Sequence, residues 1–479
     1  MPLPILSVAE MRNWESATWA TGITPEAVIA RVGRALANAL LERSSPGERV
    51  LLLAGRGHNG DDVRAAERWL QDREVRLISV MDPDAACVAI DALENESVPW
   101  RPDCCVDGLF GIGLNRDLDA RWIRLLERVN QFRCPIASVD VPSGLDADTG
   151  LPRGGAVRAD LTFTIGAPKS GLVETHAAEW VGRLEVLDDV GLLDPSEMIK
   201  TPGWASTELS WSQRSDFDAF PGRRKVSSHK GTYGHVVIAA GSMGFHGAAA
   251  LAARGAQSMR PGLVTVLTPE EAYLPIASQL ASVMVRPWLP GGTLPESATA
   301  LVVGPGLAAY GVRERFESTV GSWWCQWPGP MVVDASALDW IRSLPSPPAN
   351  ALRVLTPHPG EAARWLGCDP AEVNRNRSRT LRRMADRGEW VVLKGHQTRL
   401  GTRQGPILVN STGNPGLAQG GTGDVLAGAL GGLLAQRALA TNPSDALAYG
   451  VWEHGAAADR LEARRRNWRA EELASELGS

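Results

Sequence analysis

Short apolar runs rich in β-branched residues alternate with helix-like stretches along most of this chain. VLLLA (50–54), VRLISV (75–80), CCVDGLF (104–110), IASVDVP (136–142) and LTFTIG (161–166) read as strands. A helical pattern with Pro25 near its start covers 25–42, and a second runs through Trp69. Residues 200–226 are polar and turn-rich and hold no sustained period. The alternation then restarts with HVVIAA (235–240), GLVTVLT (262–268), ALVVG (300–304), PMVVDA (330–335), RVLTP (353–357) and EWVVLKG (389–395). Strands separated by helices predict βαβ units, a parallel sheet and helices on both of its faces. The expectation is an α/β chain of two domains, 1–205 and 226–479, with a linker at 206–225. The halves share a class but no fixed-period repeat, which excludes a solenoid.

Composition narrows the function classes. A chain of 479 residues exceeds one ordinary core. A formal net charge of −5 argues against a general binder of nucleic acid or anionic membrane, both of which need a positive field. The dense basic run Arg464, Arg465, Arg466 reads as a solvated helix end. None of the six cysteines forms a C-x-x-C pair, so reduced thiols in a cytoplasmic protein are expected. The start MPLPILSVAEMRNWE has no basic stretch ahead of its apolar residues, so no signal peptide is expected. The longest apolar run, 425–435, is too short to span a bilayer.

Chemistry concentrates first in VNSTGNPGLAQGGTGDVLAGALGGLLA (409–435). Gly420, Gly421 and Gly423 allow a ligand close to the backbone, and the helix that follows points its free N–H groups at that loop. Phosphate oxygens bind at such places. Asp424 stands where it can cap the helix or accept a hydroxyl proton, and a tight turn with a capping acid explains the same residues. LTPHPGE (355–361), VVLKGHQT (391–398) and GPGL (304–307) place further polar or small turns at strand ends, where α/β sheets bind ligands. No G-x-x-x-x-G-K-[ST] occurs.

SSHKGTYGHVVIAAGSMGFHGAAALAARGA, TPHPGE and NSTGNPGLAQGGTGDVLAGALGGLLA together resemble the ADP/ATP-dependent NAD(P)H-hydrate dehydratases of the ribokinase-like superfamily, over about residues 225–465. The resemblance implies a ribokinase-like α/β/α fold. It also implies phosphorylation of the C6 hydroxyl of the hydrated ring, then loss of phosphate to give NAD(P)H, AMP and phosphate. ADP is the usual donor in bacterial members and ATP in eukaryotic ones, with Mg²⁺. It implies Asp424 as base, and Lys394, Gly395, His396, Gln397, Thr398, Gly421, Thr422 and Gly423 around the nucleotide. Ala248, Gly306, His358 and Asp424 would then line the hydrate pocket.

In the first half, GRGHNG (55–60) satisfies G-x-G-x-x-G, and Asp82 follows the next strand, a dinucleotide-binding pattern when taken alone. VDGLFGIGLNRDLD (106–119) and SVDVPSGLDADTG (138–150) favour another reading. Asp107, Asp140, Ser143 and Asp146 could gather oxygens around a monovalent cation, or could satisfy turn backbone. Over about residues 5–200 these segments look like the NAD(P)H-hydrate epimerase domain, a Rossmann-like three-layer α/β/α unit. The resemblance implies K⁺ held by Asn59, Asp107 and Ser143. The hydrated nucleotide would lie against His58, Asn59, Gly60, Asp61, Asp62, Gly111, Ile112, Gly113, Leu114, Asn115, Arg116, Asp117 and Asp140, with Asp140 handling protons. A homo-oligomer is implied by analogy.

One departure stands out. Where the family reads G-x-G-N-N-G-G-D-G, this chain has His58, Asp61 and Val63 in place of an asparagine and two glycines. A positive φ at those places would strain a β-branched Val63, and Asp61 would set negative charge beside a phosphate. Two readings of the first half follow: a working epimerase with a drifted loop, or a degenerate domain kept for sensing or assembly. For the second half, a ribokinase-like small-molecule kinase is the alternative. A dehydrogenase is the weakest option, because no acid–base set accompanies GRGHNG.

Overall fold

Along the strand Arg49–Ala54, Val50, Leu52 and Ala54 face one apolar cluster while Leu51 and Leu53 face another. This period-two split builds a sheet covered on both sides. The structure is a computed structural model that describes residues 2–198 and 208–479. It divides into the units Leu3–Glu208 and Leu209–Ser479.

In the first unit the strands run in the order Glu74–Ser79, Arg49–Ala54, Cys104–Gly108, Ile136–Val139, Leu161–Ile165, Arg183–Leu187, all parallel. Helices Pro25–Leu41 and His58–Glu67 cover one face, and Pro83–Glu94 and Ala120–Val129 the other. This is the expected three-layer arrangement. Among the elements the pattern left unread are the helix Val8–Ala20, opened by a Ser7–Glu10 capping box, and the strand Arg183–Leu187.

In the second unit the parallel strands are ordered Trp390–Leu393, Arg353–Leu355, Met331–Val333, Ala300–Val303, His235–Ala239, Leu263–Thr268, Met284–Pro287. Arg399–Gly401 and Ile407–Val409 extend the sheet antiparallel beyond Trp390–Leu393. Val236, Ile238, Val302 and Val332 pack under the helices His246–Ser258, Thr422–Leu434 and Pro443–Arg464. Val237, Leu301, Val303 and Val333 face the helices Val312–Gln326, Pro359–Leu366 and Arg377–Met384. Two helices on the first face touch backbone to backbone: a Cβ on Gly428 would lie 1.9 Å from Ala252 O. The glycines of the 425–435 run therefore serve this close approach as much as flexibility.

Part of the expected linker 206–225 proves to be structure; residues 206 and 207 lie outside the described ones. Leu209–Trp211 pairs in parallel with Ile407–Val409. Phe217 is buried beside Trp452, at 5.4 Å between rings, and Phe220 stacks on Tyr449 at 4.7 Å. Isolated aromatics in a polar stretch carry no period, yet each finds a core partner. The strands also stop earlier than their apolar runs: 104–110 ends at Gly108, 136–142 at Val139 and 389–395 at Leu393. The residues beyond those ends form the loops that carry the chemistry.

Two candidate active sites

In the first unit a cavity of about 650 Å³ opens at the C-terminal ends of the strands. His58, Asn59, Asp62, Gly111, Ile112, Gly113, Leu114, Asn115, Arg116 and Asp140 line it, with Trp19, Val28, Ile29 and Val32 as an apolar wall. Gly60, Asp61 and Asp117 are not among its lining residues. Asp140 is buried and holds a left-handed φ of 63°, a costly conformation for a residue with a side chain. Its Oδ1 accepts from Lys169 Nζ at 2.5 Å.

Burial, with Asp140 as the next contributor, holds the Asp62 carboxyl well above its ordinary range. Glu15, from the helix Val8–Ala20, is raised for the same two reasons. The site thus pairs a carboxylate fixed by a cation with two carboxyls that retain protons more readily. Lys169 and Glu15 were absent from the sequence expectation. A lysine in the context IGAPKS (165–170) was no motif, although a buried lysine needs a partner.

Beneath the cavity floor Asp107 and Ser143 are fully buried. Ser143 Oγ donates to Asp107 Oδ1 at 2.6 Å and accepts from Phe110 N at 2.9 Å. Asn59 Nδ2 donates to Phe110 O at 2.9 Å, while its Oδ1 is buried without a donor. The three residues expected to share an ion are therefore all tied to one loop, and an oxygen stands unsatisfied there.

The departure at 58–63 has a structural answer. Val63 lies in the helix His58–Glu67, outside the positive-φ region, and packs against Gly108. Asp61 turns to Arg64 Nη1 at 2.9 Å, and the same guanidinium donates to Gly55 O at 2.7 Å. Its carboxylate is paired on the helix and does not line the cavity, although its charge still adds to what raises Asp62. Asp82 caps the helix Pro83–Glu94 and pairs with Arg121, and Asp146 accepts from Thr149 N and Arg153. Both therefore do the work of turns and caps.

In the second unit the loops after five parallel strands converge. Lys394 Nζ lies 2.8 Å from Asp334 Oδ1 and 3.9 Å from Glu361 Oε2. Thr356 Oγ1 donates to the same Asp334 oxygen at 2.7 Å. Burial works against the Lys394 charge, but Asp334 and Glu361 outweigh it and hold that ammonium above its ordinary range. Asp424 sits in the first turn of Thr422–Leu434, entered through Gly421 at φ 99°, where a Cβ would meet Leu251. Burial and the neighbouring Asp334 charge raise Asp424 to about 7 against the pull of Lys394. A Cβ on Gly423 would touch Lys394 Nζ at 3.4 Å, so the glycine loop and the lysine are adjacent.

His454, brought down to about 4 by burial, is neutral and donates Nε2–H to Thr422 O at 2.9 Å, fixing the helix start. Gly306 and Ala248 meet, since a Cβ on the glycine would fall 2.8 Å from that of Ala248. His358 caps the helix Pro359–Leu366 through Nδ1, with Glu361 completing a capping box. Gly395, His396, Gln397 and Thr398 form the turn beyond Lys394; Gln397 has φ 50° and a buried Oε1 without a donor. Asp334 was missed in the sequence, although an acid ending the run PMVVDA is a signal of the right kind.

These sites can be set beside known proteins. Residues 236–478 match a family described as NAD(P)H-hydrate dehydratase, and residues 25–171 match the YjeF-related protein N-terminus. The bifunctional NAD(P)H-hydrate repair enzyme Nnr of Gloeobacter violaceus is 36% identical over 505 residues, 96% of this chain and 94% of that one. Its namesake in Coxiella burnetii is 33% identical over 472 residues, 94% and 93% of the two chains. A ribokinase-like superfamily protein from Enterococcus faecalis shares the fold, with a TM-score of 0.50 and 24% identity, over 58% of this chain and 96% of its own. With both family matches in order and full-length relatives of one kind, the chain belongs to the bifunctional NAD(P)H-hydrate repair enzymes, an epimerase joined to a nucleotide-dependent dehydratase.

Proposed function

We propose that the unit Leu209–Ser479 dehydrates the S hydrate at Asp424 with ADP as phosphoryl donor, and that the unit Leu3–Glu208 interconverts R and S hydrates around Asp140. The observation that carries the dehydratase assignment is Asp424 itself. It is a carboxylate raised to about 7 in the first turn of a glycine-entered helix, beside a pinned lysine. A base matched to neutral pH and a cluster of N–H donors are what hydroxyl phosphorylation needs.

Asp424 takes the proton of the C6 hydroxyl, and that oxygen forms a bond to the terminal phosphorus of ADP. The P–O bond to AMP breaks with its electron pair on AMP. Phosphate then leaves C6 with its electron pair, and loss of a proton from C5 closes the double bond of the dihydronicotinamide. The N–H groups of Gly421, Thr422 and Gly423 and the Lys394 ammonium face the phosphoryl oxygens. The turn of Gly395, His396, Gln397 and Thr398 holds the nucleotide, and Ala248, Gly306 and His358 border the hydrate. Mg²⁺ carried on the nucleotide phosphates supplies charge neutralisation.

In the first unit, Asp140 exchanges protons with the hydrated ring, while His58, Asn59, Asp62 and the 111–116 loop contact the nucleotide. Asn59, Asp107 and Ser143 would hold K⁺, whose charge would satisfy the orphaned Asn59 oxygen and order the loop at Phe110. The helical Val63 and the paired Asp61 support a working epimerase rather than a degenerate one. A homo-oligomer in the cytoplasm belongs to the same reading. No helix among the described residues is long and apolar enough to cross a membrane.

The test is recovery of dihydronicotinamide absorbance from R and S hydrates separately, with ADP or ATP, Mg²⁺ and K⁺. Rapid recovery from both is expected. Recovery from S alone removes the epimerase assignment. Phosphorylated product without recovered absorbance replaces the dehydratase with a kinase.

A further inference from the structure

We infer that Lys169 is the positioning residue of the epimerase site, holding one Asp140 oxygen so that the other is presented to substrate; the inference rests on the reading of Asp140 given above. Lys169 is fully buried. An ammonium has three protons to donate. Here they go to Asp140 Oδ1 at 2.5 Å, Ile165 O at 2.9 Å and Thr164 Oγ1 at 3.0 Å. None is left for a ligand, so Lys169 acts on the reaction through Asp140.

The two Asp140 oxygens have different surroundings. Oδ1 takes Lys169 and also the Ile165 N–H at 3.4 Å. Oδ2 accepts from Ile112 N at 3.4 Å and lies 3.0 Å from where a Cβ on Gly111 would stand. Gly111, Ile112, Ile165 and Lys169 all border the cavity, but Oδ1 is taken up by the buried ammonium while Oδ2 has only the long Ile112 contact, so this second oxygen is the one left to meet substrate. The lysine backbone is itself clamped: Leu6 N donates to Pro168 O, and Ser170 N donates to Leu6 O, both at 2.9 Å.

The need for such a clamp follows from the neighbours. Glu15 and Asp62 face Asp140 from two different helices, and Arg12 and His58 stand at the exposed rim. Without a buried cation, three carboxyls would share one apolar-walled cavity, and like charges at close range disfavour the ionised form. Lys169 opposes that crowding from below. The left-handed backbone of Asp140 adds to the case, because a strained conformation persists only where its surroundings hold it.

The experiment compares Lys169→Gln, Lys169→Met and Asp140→Asn in the full chain. It measures epimerisation of the R hydrate and, in the same preparations, dehydration of the S hydrate. For both lysine variants kcat for epimerisation should fall about 100-fold, the scale of one acid–base contribution, with KM within about threefold and dehydration unchanged. Lys169→Met keeps the side-chain length and stands in should the Gln variant fail to fold. Near-normal kcat in the lysine variants beside a dead Asp140→Asn overturns the role of Lys169 alone. A raised KM at unchanged kcat makes Lys169 a ligand contact and overturns it too. Equal loss of kcat and substrate binding with a lowered Tm in both variants marks a purely structural lysine. An active Asp140→Asn removes the reading of Asp140 and this inference together.

Discussion

The Lys394 ammonium stands 2.8 Å from Asp334 Oδ1, so it is already paired when Asp424 ionises nearby. Burial first, and then the Asp334 carboxylate against only part of a cation, raise Asp424 to about 7. A general base must be ionised to act. The dehydration kcat/KM should therefore fall about tenfold per pH unit below pH 7. In Asp334→Asn the repelling charge is gone, and the acid limb should move to lower pH. An unmoved limb in pH–rate profiles of the two proteins would separate Asp424 from the observed titration.

Asp424→Asn should retain ADP binding and lose about 100-fold or more in dehydration turnover. Direct binding measurements beside initial rates check both halves. Near-normal turnover removes Asp424 as base.

The same substitution has a signed effect on stability. Asp424 is raised in the folded state, so its protonation favours folding below the unfolded value near 4, and that contribution is lost as pH rises through about 7. The Asn variant cannot ionise. It should thus melt higher than the parent at pH 8, with the difference shrinking towards pH 4. Tm measured across that range decides the point.

Val63→Gly, which brings the loop closer to the family pattern, should destabilise the first unit by about 2–4 kcal/mol. It empties a packed site against Gly108 and puts glycine inside a helix. Epimerisation per folded molecule should not improve. Denaturant melts and assays of the same samples test this, and a faster variant would show that the drifted loop does limit the reaction.

Asn59→Leu should remove the response of epimerisation to K⁺, because the orphaned oxygen is lost. Rates titrated with K⁺ against an inert large cation give the readout. An unchanged K⁺ response would place the ion elsewhere.

Much of both architectures was legible in the residue pattern. Period-two apolar runs such as VLLLA and HVVIAA commit their residues to two-sided burial, and the glycine-rich stretch before 425–435 marks a helix entry. Short partners such as Arg399–Gly401, Ile407–Val409 and Met284–Pro287 were not legible, because three or four residues carry too little pattern to separate a strand from a turn. The expected linker misled for a related reason: Trp211, Phe217 and Phe220 take their meaning from distant partners such as Tyr449 and Trp452.

By itself the sequence determined the class of each half, the order of the two units and the glycine-rich turns that follow several of their strands, because local periodicity and turn chemistry act over a few neighbours. Only the tertiary structure decided which charges meet. Asp334 reaches Lys394 across 60 positions, and Lys169 reaches Asp140 across 29. Whether a buried acid is a base, a cap or half of an ion pair depends on those distances and on the water excluded around them, and neither is written in the order of residues.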